Sequence, residues 1–241
     1  MITQPGRLKE EVYGLGGRLL DLLFPARCVN CKQAPGALCA KCLSTIQPIS
    51  PPLCERCGRA LVSSDAVCPD CRAHPLKITR IRTATWHEGA VREAIHALKY
   101  GKRRDTVAPL AKLVAAQLTA SKFTFDIITS VPLHPSRQAE RGYNQAELLA
   151  QETARLMHVP FARLLERTRA TTDQIGLDGM ARRKNVHGAF RVTARIQNNS
   201  IVLVDDVCTT GATLDACAQA LFQNGAHAVY GAAVARPRSS F

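Results

Sequence analysis

Two stretches of this 241-residue chain carry residues whose types and order can do chemistry. In the first, Val202-Leu203-Val204-Asp205-Asp206-Val207-Cys208-Thr209-Thr210-Gly211-Ala212-Thr213-Leu214, an apolar run ends in two carboxylates. A loop of hydroxyl residues and glycine then opens a helical pattern. Backbone N–H groups at such a turn, together with the positive end of the helix, cradle a phosphate. Gly211 permits close backbone approach, and Thr209, Thr210 and Thr213 add hydroxyl hydrogen bonds. Asp205 and Asp206 stand where they can accept from two ribose hydroxyls and touch Mg²⁺ directly or through water. Cys208 reads as a space-filler within the loop, and Cys217 as helix core beside Leu214 and Leu221.

The second stretch holds Cys28-x-x-Cys31, Cys39-x-x-Cys42, Cys54-x-x-Cys57 and Cys68-x-x-Cys71, eight of the ten cysteines. Each CxxC turn puts two sulfurs on one side of a tight knuckle, and two knuckles complete a tetrahedral thiolate site with Zn–S near ~2.3 Å. Repeated CxxC pairs are not how disulfide scaffolds space their cysteines. Four knuckles fit two structural zinc ions. Pairing in sequence order (28/31/39/42 and 54/57/68/71) gives a double zinc ribbon; a cross-braced arrangement is the alternative. So short a segment needs metal binding to fold.

Charge separates the two stretches. The chain carries a net +13; residues 1–78 hold ten Lys/Arg against six Asp/Glu, and residues 79–241 hold twenty-two against thirteen. Two tetrathiolate zinc ions, each leaving a charge of −2, would neutralise the first part. The basic surplus then belongs to the second, where it favours phosphate, pyrophosphate or nucleic acid. No apolar run approaches the ~20 residues that span a bilayer. The N-terminus, with Arg7, Lys9, Glu10 and Glu11 ahead of a short apolar stretch and no small-residue cleavage site, does not read as a signal peptide. A cytoplasmic protein is expected.

The elements that must position these residues follow from periodicity. Residues 8–23 place Leu8, Val12, Leu15, Leu19, Leu22 and Leu23 at helical spacing, and Pro25 ends the helix. Beyond a boundary at residues 73–78, strands are predicted at 78–87, 125–131, 200–205 and 226–235. Helices are predicted at 89–100, 105–118, 144–157 and 213–224. Strands separated by helices imply βαβ units and a parallel sheet, with ligands at the C-terminal ends of the strands.

The segment at 202–214 matches the PRPP (5-phosphoribosyl-1-pyrophosphate) motif of the type I phosphoribosyltransferases, which resemblance makes Asp205 and Asp206 the catalytic pair. It makes residues Val207 to Thr213 (Val207, Cys208, Thr209, Thr210, Gly211, Ala212, Thr213) the phosphate cradle. The strand exit at Ser130–Arg137 corresponds to the one that contacts pyrophosphate in that fold, with Pro132, Leu133, His134, Arg137 and Arg141 as the candidate contacts. The string VPLHPSRQAERGYNQAELLA closely resembles the signature of the ComF family of competence-associated proteins. DLLFPARC, ALKYGKRRD at 97–105 and QIGLDGMARRKNVHGAF at 174–190 fall in that family's order. The resemblance implies an α/β fold, a type I phosphoribosyltransferase-like parallel sheet flanked by helices and preceded by a small four-cysteine zinc-ribbon module. The expected division is an amphipathic helix (1–26), the zinc ribbon (27–76) and the phosphoribosyltransferase-like domain (77–241).

The same resemblance implies a role in DNA uptake or the use of external DNA, with a competence helicase as one partner the zinc module would dock. Two basic clusters bear on this. Lys99, Tyr100, Lys102, Arg103 and Arg104 offer charge and a ring that can stack on a base of single-stranded DNA, or form a plain surface charge run. Arg182, Arg183 and Lys184 lie in residues 163–190, which read as a lid over PRPP, a track for single-stranded DNA, or a solvated connection. Whether the chain is an enzyme stays open. Purine-type relatives carry an acid where this loop has Thr209, which argues against a purine acceptor, and no acceptor pocket is legible.

Overall fold

The computed structural model describes residues 26–62, 65–169, 186 and 188–238. The helix expected at residues 8–23 lies outside them, as do Arg182, Arg183 and Lys184.

In the cysteine-rich part, two five-residue helices, α1 (Ala40–Ser44) and α2 (Pro69–Ala73), each follow a cysteine in extended conformation, Cys39 and Cys68. Helices this short do not hold themselves. Their cysteines group in sequence order, Cys28, Cys31, Cys39 and Cys42 in one set and Cys54, Cys57, Cys68 and Cys71 in the other. The sulfurs of each set lie within 4.8 Å of one another, with Cys31–Cys39 and Cys57–Cys68 both 3.7 Å apart. That is close to the edge of a tetrahedron whose arms are ~2.3 Å, so the two sets are compatible with two structural zinc ions.

Four parallel strands form the main sheet in the order β1 (Arg80–Trp86), β6 (Ala228–Arg236), β5 (Ser200–Val207), β2 (Ile127–Ser130). Side chains alternate along a strand, so β5 feeds both faces. Val202 and Val204 pack with α3 (Gly89–Tyr100), α4 (Val107–Ser121) and α6 (Gln145–Met157). Ile201 and Leu203 pack with α7 (Ala212–Gln223). A short antiparallel pair, β3 (Leu165–Arg167) and β4 (Phe190–Val192), joins the α7 face through Leu165 and Phe190. The strand exit after Val131, where Pro132 and Pro135 read in the sequence as stiffening a turn, contains a further helix, α5 (Pro135–Arg141), started by Pro135 at its first position.

The zinc module sits astride the edge of the sheet. Ile49 N–H donates to Ala84 O at 3.1 Å, and Ile81 N–H donates to Arg56 O at 2.7 Å, so backbone from the module covers β1. Cys28 and Cys42 join the core of the α3–α4 face, whereas all four cysteines of the second set join the α7 face. An exposed edge strand is thereby paired on its open side.

Candidate ribose-phosphate site

β5 ends in the two carboxylates, and alternation sends them to opposite faces of the sheet. Asp206 follows Val204 towards α3 and α6, and Asp205 follows Leu203 towards α7. Beyond them, Cys208 N–H still pairs with Ala235 O at 2.9 Å before the chain turns. Ala212 N–H donates to Thr210 Oγ1 at 3.3 Å, and Gly211 takes a left-handed φ of +84° to start α7. A Cβ at Gly211 would stand 2.8 Å from Ile81 Cδ1, so sterics and backbone both require glycine here.

The loop closes one side of a cavity of about 170 Å³. Asp205, Asp206, Val207, Cys208, Thr209, Gly211, Ala212 and Thr213 line it, opposite Pro132, Leu133, Asn144, Gln145 and Arg167. Lys99 completes the wall. A larger cavity of about 490 Å³ shares Pro132, Leu133, Asn144 and Arg167 with it and extends to Glu147, Arg163 and Glu166.

Charge in the site is arranged unequally. Lys99, in the last turn of α3, pairs with Asp206, and Gln145 Nε2 donates to Asp206 Oδ1 at 3.2 Å. Burial works against a charged Asp206, but Lys99 and then Gln145 outweigh it and hold that carboxyl below its ordinary value. Burial, and then the neighbouring Asp206, push Asp205 well above the usual carboxylate range. The two carboxyls are thus pushed in opposite directions, Asp206 towards the charged form by its ammonium partner and Asp205 towards the neutral form by burial and its charged neighbour. Two neighbouring carboxylates offer oxygen ligands of the kind that Mg²⁺ takes.

The rest of the wall is held from the VPLHPSRQAERGYNQ stretch. Asn144 caps α6 by accepting from Ala146 N–H at 3.0 Å, and donates to Val131 O at 3.0 Å. Tyr143 is buried and its hydroxyl donates to Leu98 O, which fixes the turn of α3 that carries Lys99.

Several expected contacts are placed elsewhere. Pro132 and Leu133 face the cavity, but His134 serves as the cap of α5, its Nδ1 accepting from Ser136 N–H at 3.3 Å. Arg137 and Arg141 lie on α5 and are not among the residues lining either cavity. Arg141 donates to Gln145 Oε1, and its guanidinium lies 5.5 Å from the Tyr100 ring. The run 99–104 does not present one face. Lys99 turns inward, Arg103 pairs with Asp105 and donates to Arg27 O at 3.1 Å, and Arg104 stacks 4.5 Å from the Tyr143 ring. Tyr100 is exposed. Sequence reasoning gives no role in the site to Gln145, Asn144 or Tyr143, although all three lie within the quoted signature, and it reads Arg167 only as part of the 163–190 segment. Only their spacing from a capping Asn, which sets which helix face meets β5, could have marked them.

Over residues 19–72 the chain matches the double zinc ribbon domain, and over residues 143–240 the phosphoribosyl transferase domain. It is 34% identical over 219 residues to the DNA utilization protein YhgH of Escherichia coli K12, covering 86% of this chain and 96% of that protein. Competence protein F of Haemophilus influenzae is 29% identical over 215 residues, 84% of this chain and 93% of the relative. The competence protein ComFC of Bacillus subtilis is 29% identical over 200 residues, 78% of this chain and 79% of the relative.

Proposed function

Because this chain belongs to the ComF family, with a double zinc ribbon ahead of a phosphoribosyltransferase domain, we propose that it binds PRPP or ribose 5-phosphate at the end of β5 and serves the uptake or use of external DNA. The observation that carries the ligand half is the order of parts at residues 202–214. A buried strand delivers two carboxylates, and a loop closed by a left-handed Gly211 delivers backbone N–H groups at the start of a twelve-residue helix. The loop and helix end take the 5-phosphate, and Asp205 and Asp206 accept from the ribose hydroxyls. Mg²⁺, held by the same two carboxylates, would neutralise the pyrophosphate of PRPP. Calorimetric titration with PRPP and Mg²⁺ tests this. Wild type is expected to bind, and Asp205→Ala combined with Asp206→Ala is expected to abolish binding; equal affinity in the double variant would refute it.

The DNA half is supported by the names of the relatives and by the basic surplus of residues 79–241. Single-stranded DNA bound through phosphates should weaken steeply with salt, and the slope should fall when Arg182 and Arg183 become Ala. A flat salt response would count against it. Such a protein works in the cytoplasm, and the zinc ribbon is then the surface on which a DNA-processing partner, such as a helicase, docks.

A second reading is favoured by the larger cavity that opens off the ribose-phosphate site. Glu147, Glu166 and Arg163 in its wall suit a polar acceptor, so the chain is then a working phosphoribosyltransferase. Arginine side chains and Mg²⁺ would stabilise the departing pyrophosphate as the acceptor attacks the anomeric carbon. Pyrophosphate release with candidate acceptors decides between the two; silence with every acceptor leaves the binding role alone.

A further inference from the structure

Arg236 ends β6 and is 2% exposed, the largest fully buried side chain among the described residues. Its guanidinium reaches both chemical sites. Nη2 donates to Cys57 O at 2.6 Å and to Cys208 Sγ at 3.3 Å, and Nη1 lies 3.7 Å from Cys57 Sγ. Cys57 belongs to the second cysteine set, and Cys208 is in the phosphate loop. A guanidinium is always charged, and burying one requires a negative partner. Four thiolates on one Zn²⁺ carry a net −2 and present sulfur acceptors, so the filled site supplies that partner.

A second path joins the same two places. Gly58, next to Cys57, lies against the backbone of Ile81: a Cβ there would stand 2.6 Å from Ile81 O. The Ile81 side chain in turn fills the space beside Gly211, the residue that shapes the loop. The cysteines of the second set, Ile81, Cys208 and Ala212 all belong to one core cluster. The first set packs on the opposite face, with α3 and α4.

We propose that the second four-cysteine site is an effector site for the phosphate loop. Zinc held by Cys54, Cys57, Cys68 and Cys71 fixes Arg236, and Arg236 fixes Cys208 and the loop that follows it in the form that takes a sugar phosphate. Arg236 is the positioning residue between them. The inference rests on the ribose-phosphate reading of that loop. Coupling is reciprocal, so zinc loss weakens sugar-phosphate binding and a bound sugar phosphate retains zinc. Thiol oxidants and metal chelators would thereby act on the ligand site from outside it.

The test uses the full chain loaded with zinc. Release to a colorimetric chelator is followed with and without PRPP and Mg²⁺, and affinity for PRPP is measured by calorimetry. In wild type, PRPP is expected to slow the release of one of the two zinc ions about fivefold or more. Cys208→Ala should still hold two zinc ions and melt as a folded protein, yet lose this protection and bind PRPP about five- to tenfold more weakly. Arg236→Lys, which keeps the charge but cannot reach both cysteines, should behave in the same way. Cys217→Ala removes another buried thiol, from the core of α7, and should leave both readouts as in wild type. PRPP that binds wild type but changes neither zinc's release, or protection that survives in Cys208→Ala, would overturn the coupling alone. Equal loss in Cys217→Ala would overturn it as well, since general loosening would then be the cause. A wild type that binds neither PRPP nor ribose 5-phosphate would overturn the ligand reading and the coupling with it.

Discussion

Lys99 and Asp206 are partners on one face of the sheet: an ammonium on the last turn of α3 meets a carboxylate at the C-terminal end of β5. Both side chains are largely shielded, Asp206 almost completely. The position at the end of a helix also favours the cation. Lys99→Met would leave Asp206 buried without its partner, and removing one member of such a pair costs about 3 kcal/mol. Urea denaturation is expected to show this loss. Mg²⁺ should restore part of it, raising the midpoint of the variant more than that of wild type, because the ion takes over the place of the ammonium. An unchanged midpoint, or no response to Mg²⁺, would mean that Lys99 is a surface charge only.

Asp205 gives the site its pH dependence. Its native carboxyl is raised by burial and by Asp206, so the native state binds that proton more tightly than the unfolded chain. Its contribution to stability is therefore full below the unfolded carboxylate value and is lost as pH rises through the raised native value. Asp206 has the opposite sign: its contribution is present above the unfolded value and is lost as pH falls through its lowered one. A divalent cation bound by the pair must displace the Asp205 proton. Calorimetry of Mg²⁺ binding in two buffers of different ionisation heat should show proton release, with affinity rising with pH until Asp205 is ionised. Asp205→Asn should show none. Identical heats in the two buffers for wild type would contradict the assignment.

Much of the architecture was legible because each strand and helix had its own period. The predicted spans of α3, α6, α7 and β5 differ from the observed ones by no more than two residues at either end. The apolar run before Asp205 is short and rich in β-branched residues, which reads as a strand buried on both faces. Less legible was anything set by partners distant in sequence. α5 was hidden because prolines at 132 and 135 read as a stiff turn, although Pro135 is a helix start. The β3–β4 pair joins residues 25 apart in three-residue strands, too short to show a period. Lys99 looked like one of a surface run because its inward turn depends on where α3 meets β5. Cys208 looked like a filler because its partner, Arg236, is 28 residues away on the next strand.

The module on the edge of β1 makes zinc removal a test of sheet protection as well as of metal content. Two zinc ions per chain are expected by elemental analysis. A chelator strong enough to remove both should free residues 48–56 from β1 and expose the strand edge that Ile49 and Arg56 now cover. Light scattering should rise as chains pair through that edge. A metal-free protein that stays monomeric would show that the sheet holds its edge closed without the ribbon.

Gly211 offers the narrowest test of the phosphate loop. Its φ of +84° is one that an L residue adopts at a cost of about 1–2 kcal/mol, and the added methyl would press on Ile81 Cδ1 from 2.8 Å. Ile81 is fully buried and cannot swing into solvent, so the strain falls on the loop. Gly211→Ala is therefore expected to cost about 2 kcal/mol in stability and to weaken PRPP or ribose 5-phosphate binding by at least about tenfold, since the loop must move to relieve the contact. Gly225 provides the comparison: it too has a positive φ, at +95°, but its nearest neighbour is Ile196 O at 3.5 Å and it lies beyond α7, away from the cavity. Gly225→Ala should lower stability through backbone strain yet leave ligand affinity as it was. If both substitutions weaken binding equally, the effect is global, and Gly211 has no special part in shaping the cradle.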